Sequence, residues 1–226
     1  MIFVFALLLG WWQASQAATQ PRVSATDTAY LSCTTWTGRA WTDFTARSAR
    51  TPVVESPKGF RAYAQVDIVV EDGSCQNTTS LYVASGPSGT FEVVYAKRPS
   101  DSDGNGIRLI GWSPSGEKLL AEVNLWKYET DLGFGHVPLI YNASTRSVKE
   151  IRVLDDALSR HFGGNCEFEL GVEGWKGNQQ IQVKVSRSPE TDEYEQHFCV
   201  KEPRAFVFDL QKGSVQAGMS ECQAPN

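Results

Sequence analysis

The chain has 226 residues, of which 41% are hydrophobic and 21% are charged, and its formal net charge is -5. This apolar content is sufficient for a folded core and excludes wholesale disorder. The 21 basic residues are outnumbered by 26 acidic residues, which excludes the basic surface that nucleic-acid binding needs. Many aromatic and glycine residues with only two methionines favour a turn-rich β protein in one domain, or at most two small ones.

The chain begins with an apolar segment that predicts export. Residues 2–9 are all hydrophobic, and Ser15-Gln16-Ala17 follows as a signal-peptidase pattern. The run is shorter than the roughly 20 residues that cross a bilayer, so we expect residues 1–17 to be a signal peptide. The alternatives are a buried strand or a membrane anchor, because no basic residue precedes Arg22. The expected mature protein has no membrane span and is secreted or periplasmic.

An internal repeat with an offset of 57 residues indicates the fold. Residues 56–66 align with residues 113–123, with Ser, Pro, Gly, Ala and Val identical at matching places. The same offset places residues 81–83 on residues 138–140, and a weaker third copy begins at Gly174. Each copy is typical of four antiparallel strands, which is the blade of a β-propeller. The alternative is an ordinary β-sandwich in which two hairpins look alike.

The repeat divides the mature chain. We expect three propeller-like repeats at residues 51–106, 107–165 and 166–217, followed by a polar tail at residues 218–226. The segment before them, residues 18–50, is a candidate for a degenerate fourth blade. The predicted fold class is therefore all-β, with antiparallel four-stranded repeats in a small or incomplete propeller. Three blades alone would form an open arc or assemble with another chain.

One stretch resembles a known family. Residues 111–120, Gly-Trp-Ser-Pro-Ser-Gly-Glu-Lys-Leu-Leu, are similar to the W-S-P-D-G signature of TolB-type, WD40-like propeller repeats. Residues 139–142 and 206–209 resemble the outer hairpin of that family, and the similarity covers roughly residues 51–217. Ser115 stands where the family has Asp, and three copies are fewer than the usual 4–8 blades. The resemblance implies a blade architecture and no particular chemistry, because the motif encodes a turn.

Topology predicts where the loops lie. In an up-and-down blade, the connections between strands two and three share one edge with the connections between blades. The sequence predicts five long loops at this long-loop edge: residues 67–80, 97–106, 124–137, 154–165 and 186–204. Long loops on a rigid scaffold are where such proteins bind ligands. The Ser-Pro-x-Gly turns are expected at the opposite edge, the turn edge.

The loop at residues 124–137 carries the candidate ligand-binding side chains. Aromatic rings beside carboxylates suit a sugar ring or a peptide. The candidates are Trp126, Tyr128, Glu129, Asp131, Phe134 and His136. In the alternative, Trp126 and Phe134 fold beneath the loop as a small satellite core.

Residues 101–106, Asp-Ser-Asp-Gly-Asn-Gly, match the start of a calcium-loop pattern. Oxygen ligands from Asp101, Asp103 and Asn105 would surround one Ca²⁺, and glycine permits the sharp bend. The twelfth position of the pattern is Trp112 and not Glu, so this segment is no EF-hand. A solvated turn is the alternative, because Asp, Asn and Gly favour turns without any metal.

The five cysteines form no C-x-x-C pair, and export would carry them into an oxidising compartment. We expect a Cys166–Cys199 disulfide, because the up-and-down topology places both residues at one edge of the third repeat. Cys33–Cys75 is a second pairing and leaves Cys222 without a partner. The alternative arrangement joins Cys33 to Cys222.

The sequence contains no nucleophile elbow, no zinc-binding histidine pair, no phosphate-binding loop and no dinucleotide glycine pattern. The favoured function is an exported propeller-like module that binds a protein or a glycan through its long-loop edge. One alternative is a secreted hydrolase that uses carboxylates, with Glu129 and Asp131, or Asp155 and Asp156, as nominees. Another is a structural module that associates with itself. We assign no catalytic residue and no cofactor beyond the candidate calcium ion.

Overall fold

The structure is a computed structural model that describes residues 27–31, 35–36, 41–42, 47–71, 74–98, 103–127, 133–164, 166–187 and 198–218. This part of the chain is all-β with one short helix, its sheets are antiparallel, and none of these sheets closes on itself. The first strands are β1 (Thr28–Ala29), β2 (Thr35–Trp36) and β3 (Trp41–Thr42).

The first sheet lies between residues 47 and 97. Its strands are β4 (Arg47–Arg50), β5 (Val54–Glu55), β6 (Arg61–Glu71), β7 (Ser74–Ala84) and β8 (Glu92–Lys97). The order is β4–β6–β7–β8, and β5 also pairs with β6. Successive side chains of a strand point to opposite faces. Ala62, Ala64, Val66 and Ile68 are accordingly buried on one face of β6.

The second sheet comprises β9 (Asp103–Trp112), β10 (Lys118–Lys127), β11 (Gly133–Asn142) and β12 (Ser147–Glu150). Its strands follow in chain order, and β1 is added beside β9. Helix α1 (Val153–Phe162) comes next and buries Leu154, Ala157 and Leu158. The third sheet comprises, also in chain order, β13 (Glu169–Trp175), β14 (Gln180–Ser186), β15 (Arg204–Asp209) and β16 (Ser214–Ala217).

The second sheet lies between the other two. Leu119, Ala121 and Val123 on β10 belong to a core shared with the first sheet. The intervening Leu120 belongs to a second core, shared with the third sheet and α1. Both faces of β10 are therefore buried, which its period-two alternation of side chains makes possible.

The repeated Ser-Pro-x-Gly segments form the tight turns that the sequence predicts. In each turn the serine hydroxyl accepts a hydrogen bond from a backbone N–H at the far side, at 3.0 and 3.1 Å. Gly59 and Gly116 have φ of +80° and +71°, a conformation that favours glycine. Equivalent turns of adjacent sheets also touch. A Cβ on Gly116 would lie 3.0 Å from the backbone nitrogen of Lys58, and Ser115 N–H donates to Asn178 Oδ1 at 2.7 Å.

Strands occupy nearly all of one predicted long loop and both ends of another, whose residues 128–132 lie outside the described residues. Strands β6 and β7 form one hairpin from the pair Arg61 and Ala84 to the pair Glu71 and Ser74, so residues 67–80 are almost entirely strand. Within residues 124–137, β10 continues to Lys127 and β11 begins at Gly133. Asn77 and Thr79 occupy β7 because the Asn105 carbonyl oxygen of the second sheet accepts their hydrogen bonds.

The other predicted loops agree only in part. The loop predicted at residues 154–165 is wrong, because helix α1 covers most of this segment. Residues 97–106 are shortened, because β9 begins at Asp103. Residues 186–204 do connect β14 to β15, although residues 188–197 lie outside the described residues.

The segment considered as a fourth blade contributes strands to the other sheets. Strand β1 pairs with β9, and β4 pairs with β6. Strands β2 and β3 pair with each other. In the described residues, β1 and β4 therefore enlarge the second and first sheets.

Candidate functional site

A pocket of about 330 Å³ lies between the second and third sheets. We call it the intersheet pocket. Its lining residues, mostly charged or polar, are Arg108, Glu122, Asn124, His136, Glu169, Leu170, Gly171, Lys184 and Ser186. Several of them lie near the ends of strands that lead to the β10–β11 and β14–β15 connections. The pocket is therefore displaced towards the long-loop edge.

The alternation of β10 explains why this part of the interface is polar. Leu120, Glu122 and Asn124 follow one another at every second position and share the face towards the third sheet. Leu120 is fully buried in the core, whereas Glu122 and Asn124 line the pocket. Along this face of β10, the interface with the third sheet therefore changes from apolar to polar.

An ion pair between β9 and β10 of the second sheet is hydrogen-bonded to the third sheet. Arg108 donates from Nε and Nη2 to Glu122 Oε2 at 3.1 and 2.7 Å, and the Glu122 side chain is only 3% exposed. Arg108 Nη2 also donates to the carbonyl oxygen of Val172 at 2.6 Å, and Val172 N–H donates to Glu122 Oε1 at 3.2 Å. Both backbone groups of Val172, on the free edge of β13, are therefore satisfied by the ion pair.

His136 stands among carboxylates. Its Nδ1 lies 2.8 Å from Asn124 Oδ1. Nδ1 is also 3.8 Å from Glu122 Oε1, and Nε2 is 3.9 Å from Glu169 Oε1. The imidazole therefore lies between the carboxylates of Glu122 and Glu169.

A further carboxylate acts on this site from helix α1. Burial, and then the negative charge of the adjacent Asp156, raise the pKa of Asp155 above its usual value. Electrostatic interactions with His136 and Arg152 oppose part of this rise in the pKa of Asp155. The imidazole of His136 is therefore electrostatically coupled to α1 as well as to β10 and β13.

The third sheet supplies an open side of the pocket. Gly171 on β13 is opposite Lys184 on β14, and Glu169 is opposite Ser186. Ser186 Oγ donates to Glu169 Oε2 at 3.4 Å. A Cβ placed on Gly171 would meet no atom within 4 Å, so the pocket owes space to this glycine.

The structure separates the predicted ligand-binding residues. Trp126 is 3% exposed; its ring lies 4.6 Å from that of Tyr30, and a Cβ on Gly104 would lie 2.3 Å from it. Trp126 is therefore part of the interior, whereas His136 lines the pocket. Phe134 belongs to β11, but its side chain is not among those that the structure describes. Tyr128, Glu129 and Asp131 lie outside the described residues.

The candidate calcium ligands lie on or before a strand. Asp103 begins β9 and pairs with Lys127 Nζ. Asn105 is 1% exposed, and its backbone N–H donates to Asn77 Oδ1 at 3.2 Å. Asp101 lies outside the described residues, so the calcium site stays a prediction. Within the described residues, no group of three or more His, Cys, Asp or Glu is arranged to hold a metal ion.

The Cys166–Cys199 disulfide is confirmed. The two Cα atoms are 4.9 Å apart, and the bond ties the segment before β13 to the connection between β14 and β15. Cys199 N–H also donates to the carbonyl oxygen of Glu167 at 3.0 Å. Cys33 and Cys222 lie outside the described residues, so Cys33–Cys75 and its alternative stay predictions.

Sequence reasoning missed most of the pocket. Of the nominated carboxylates, Asp155 and Asp156 lie on α1 and do not line it. Arg108 and Glu122 were not nominated, yet each interrupts an apolar run, Ile-Arg-Leu-Ile and Leu-Ala-Glu-Val. A charge inside such a run signals a buried pair. Glu169 and Lys184 carry no comparable local signal.

No known protein family matches the chain, and no curated protein matches it significantly. In the described part of the chain, no helix is sufficiently long and apolar to cross a membrane.

Proposed function

We propose that this chain is an exported, propeller-like binding module of TolB type that engages a protein or a glycan through its long-loop edge. Two structural features support the blade architecture. Each of the three sheets contains a meander of consecutive antiparallel strands, and equivalent turns of adjacent sheets touch at the turn edge. The disulfide supports export, because such bonds persist in oxidising compartments.

The observation that carries the binding function is the intersheet pocket. It is concave, its charged and polar groups converge from two sheets, and it is displaced towards the long-loop edge. Rigid strands hold these groups, so a ligand would meet a site that is formed in advance. The Cys166–Cys199 disulfide restrains the neighbouring β14–β15 connection in the same way.

The test compares the two edges. The chain from residue 18 onward is immobilised and exposed to glycan and protein arrays as wild type, Arg187→Glu and Lys176→Glu. Arg187 follows β14 near the long-loop edge, whereas Lys176 follows β13 at the turn edge, and both are exposed. We expect Arg187→Glu to weaken capture of the ligand at least about fivefold, because the substitution replaces a positive charge at the long-loop edge with a negative one. Lys176→Glu is expected to bind as the wild type does.

Equal weakening by both variants, or no captured ligand at all, would contradict the proposal. The same preparations are screened with glycoside, peptide and ester substrates. Turnover that disappears in Glu129→Gln or Asp131→Asn would instead favour the hydrolase. Strict self-association without any other ligand, measured by analytical ultracentrifugation, would favour the structural module.

A further inference from the structure

We infer that the intersheet pocket takes a single uncharged sugar ring, the terminal unit of a glycan. This inference rests on the proposed binding function and names the ligand class for its pocket. It follows from the size of the pocket, its charge balance, and its pattern of hydrogen-bond donors and acceptors.

The size of the pocket restricts the ligand to about one ring. Its volume of about 330 Å³ lies at the small end of the range for ligand sites. The remaining units of a glycan would extend from the pocket across the long-loop edge.

The charge balance favours an uncharged ligand. Arg108 and Glu122 neutralise each other in an ion pair whose carboxylate is buried. Of the remaining charged lining residues, Lys184 is basic and Glu169 is acidic, so their formal charges cancel. A phosphate or another multiply charged anion needs an excess of basic groups, which the lining does not supply. A strongly cationic ligand would likewise meet Lys184.

The donor and acceptor pattern matches hydroxyl groups. The Glu169 carboxylate accepts hydrogen bonds and calls for donors from a ligand. Lys184 is a donor, and the Ser186 hydroxyl is both donor and acceptor. Each sugar hydroxyl donates one hydrogen bond and accepts others, so neighbouring hydroxyls satisfy both kinds of group. A purely accepting ligand could not donate to the Glu169 carboxylate.

Gly171 provides a steric test of this site. Its position on β13 is open, and its φ does not lie in the left-handed region, so a larger side chain there would fill the pocket without backbone strain. Gly171→Val is the pocket-filling variant. Glu173→Val is the matched control, because it places the same side chain two residues further along β13, at an exposed position that does not line the pocket.

The experiment measures binding by saturation-transfer NMR and calorimetry on the chain from residue 18 onward. The probes are the methyl glycosides of glucose, galactose, mannose and N-acetylglucosamine, with galacturonate and inorganic phosphate as charged comparisons. We expect at least one neutral glycoside to bind with a dissociation constant on the order of 1 mM. Gly171→Val is expected to weaken it at least about tenfold, and Glu173→Val is expected to leave it unchanged.

Failure of every neutral glycoside, tighter binding of galacturonate or phosphate, or equal binding by Gly171→Val would overturn the inference. These outcomes are separable from failure of the proposed function. If array capture depends on Arg187 but no glycoside enters the pocket, only the inference fails. In the opposite case a glycoside binds, Gly171→Val abolishes this binding, and the arrays capture no ligand. Then only the proposed binding of a larger ligand through the long-loop edge fails.

Discussion

The two faces of the second sheet are both buried but differ in chemistry. Towards the first sheet, β10 presents Leu119, Ala121 and Val123, and the interface is apolar along the strand. Towards the third sheet it presents Leu120 and then Glu122, and the interface changes from core to pocket. Strand β10 therefore contributes to an apolar interface with the first sheet and to a pocket beside the third sheet. Alternate residues of the strand face the two sides.

This comparison shows how a pocket can form inside a stack of sheets without weakening it. The Arg108–Glu122 pair satisfies the backbone of Val172 on the free edge of β13. Polar groups at the interface are thereby paired, which removes most of the cost of their burial. The apolar half of the same face holds the two sheets together. Four experiments test or sharpen this contrast.

The largest expected effect comes from Glu122→Ala. The change leaves the Arg108 guanidinium without its carboxylate and the Val172 N–H without its acceptor. We expect the free energy of unfolding to fall by about 3–5 kcal/mol, because a partly buried cation and a backbone N–H both lose the same buried partner. Urea denaturation followed by tryptophan fluorescence measures it. Glu117→Ala, which removes an exposed pair with Lys58, should leave the midpoint unchanged.

If Glu122→Ala were as stable as the wild type, the ion pair would not hold β13 against the second sheet. The same result would indicate that the third sheet is held by apolar contacts alone. A loss in Glu117→Ala as large as that in Glu122→Ala would show that burial is not the cause.

The second-largest effect is expected from removal of the disulfide, which restrains the connection beside the intersheet pocket. Replacing Cys166 and Cys199 together by Ser removes a crosslink between residues separated by 33 positions. We expect a loss of about 3–4 kcal/mol from loop-closure entropy. Cys222→Ser is the control and should unfold as the wild type does. Non-reducing peptide mapping that joins Cys166 to any other cysteine would contradict the prediction.

Leu119→Ala and Leu120→Ala compare the two faces directly. These neighbours on β10 are both fully buried, but they belong to different cores. Each change is expected to cost about 3 kcal/mol, because a fully buried leucine leaves a cavity. The measurement is again urea unfolding. If one of the two variants were nearly as stable as the wild type, the second sheet would have one exposed face, and the three-layer stack would be wrong.

The smallest effect concerns a polar contact between the outer strands of the first and second sheets. Tyr95 on β8 donates to Glu150 Oε1 on β12 at 2.9 Å. Tyr95→Phe is expected to cost about 1.5 kcal/mol at pH 8, because the acceptor is charged. Burial, the hydrogen bond and the negative charge of Glu150 raise the pKa of Tyr95 above its usual value near 10.

The sign of the pH effect follows from this raised pKa. The stabilisation by neutral Tyr95 is complete below pH 10, where the unfolded chain is also protonated, and it is lost as the pH rises above 10. The difference in unfolding free energy between wild type and Tyr95→Phe should therefore be constant from pH 8 to about 9.5 and decrease by pH 11. A constant difference across the whole range would show that Tyr95 does not titrate abnormally.

Local patterns predicted much of the fold. The Ser-Pro-x-Gly turns, the alternation of β6 and β10, and the Cys166–Cys199 bond need only neighbouring residues or a simple strand order. The candidate site was predicted less well. His136 lies in the pocket, but Trp126 is buried beside Gly104, because the absence of a side chain there admits its ring.

The sequence by itself determined the all-β character and the places of the repeated turns, since both depend on side-chain alternation and backbone preferences within a few residues. Only the tertiary structure decided which polar residues belong to strands. Asn77 is fully buried because Asn105, 28 residues away, accepts its amide hydrogen bond. Glu122 lines the pocket because Val172, 50 residues away, needs an acceptor. A buried polar group is stable only beside its partner, and its partner is known only once the chain has folded.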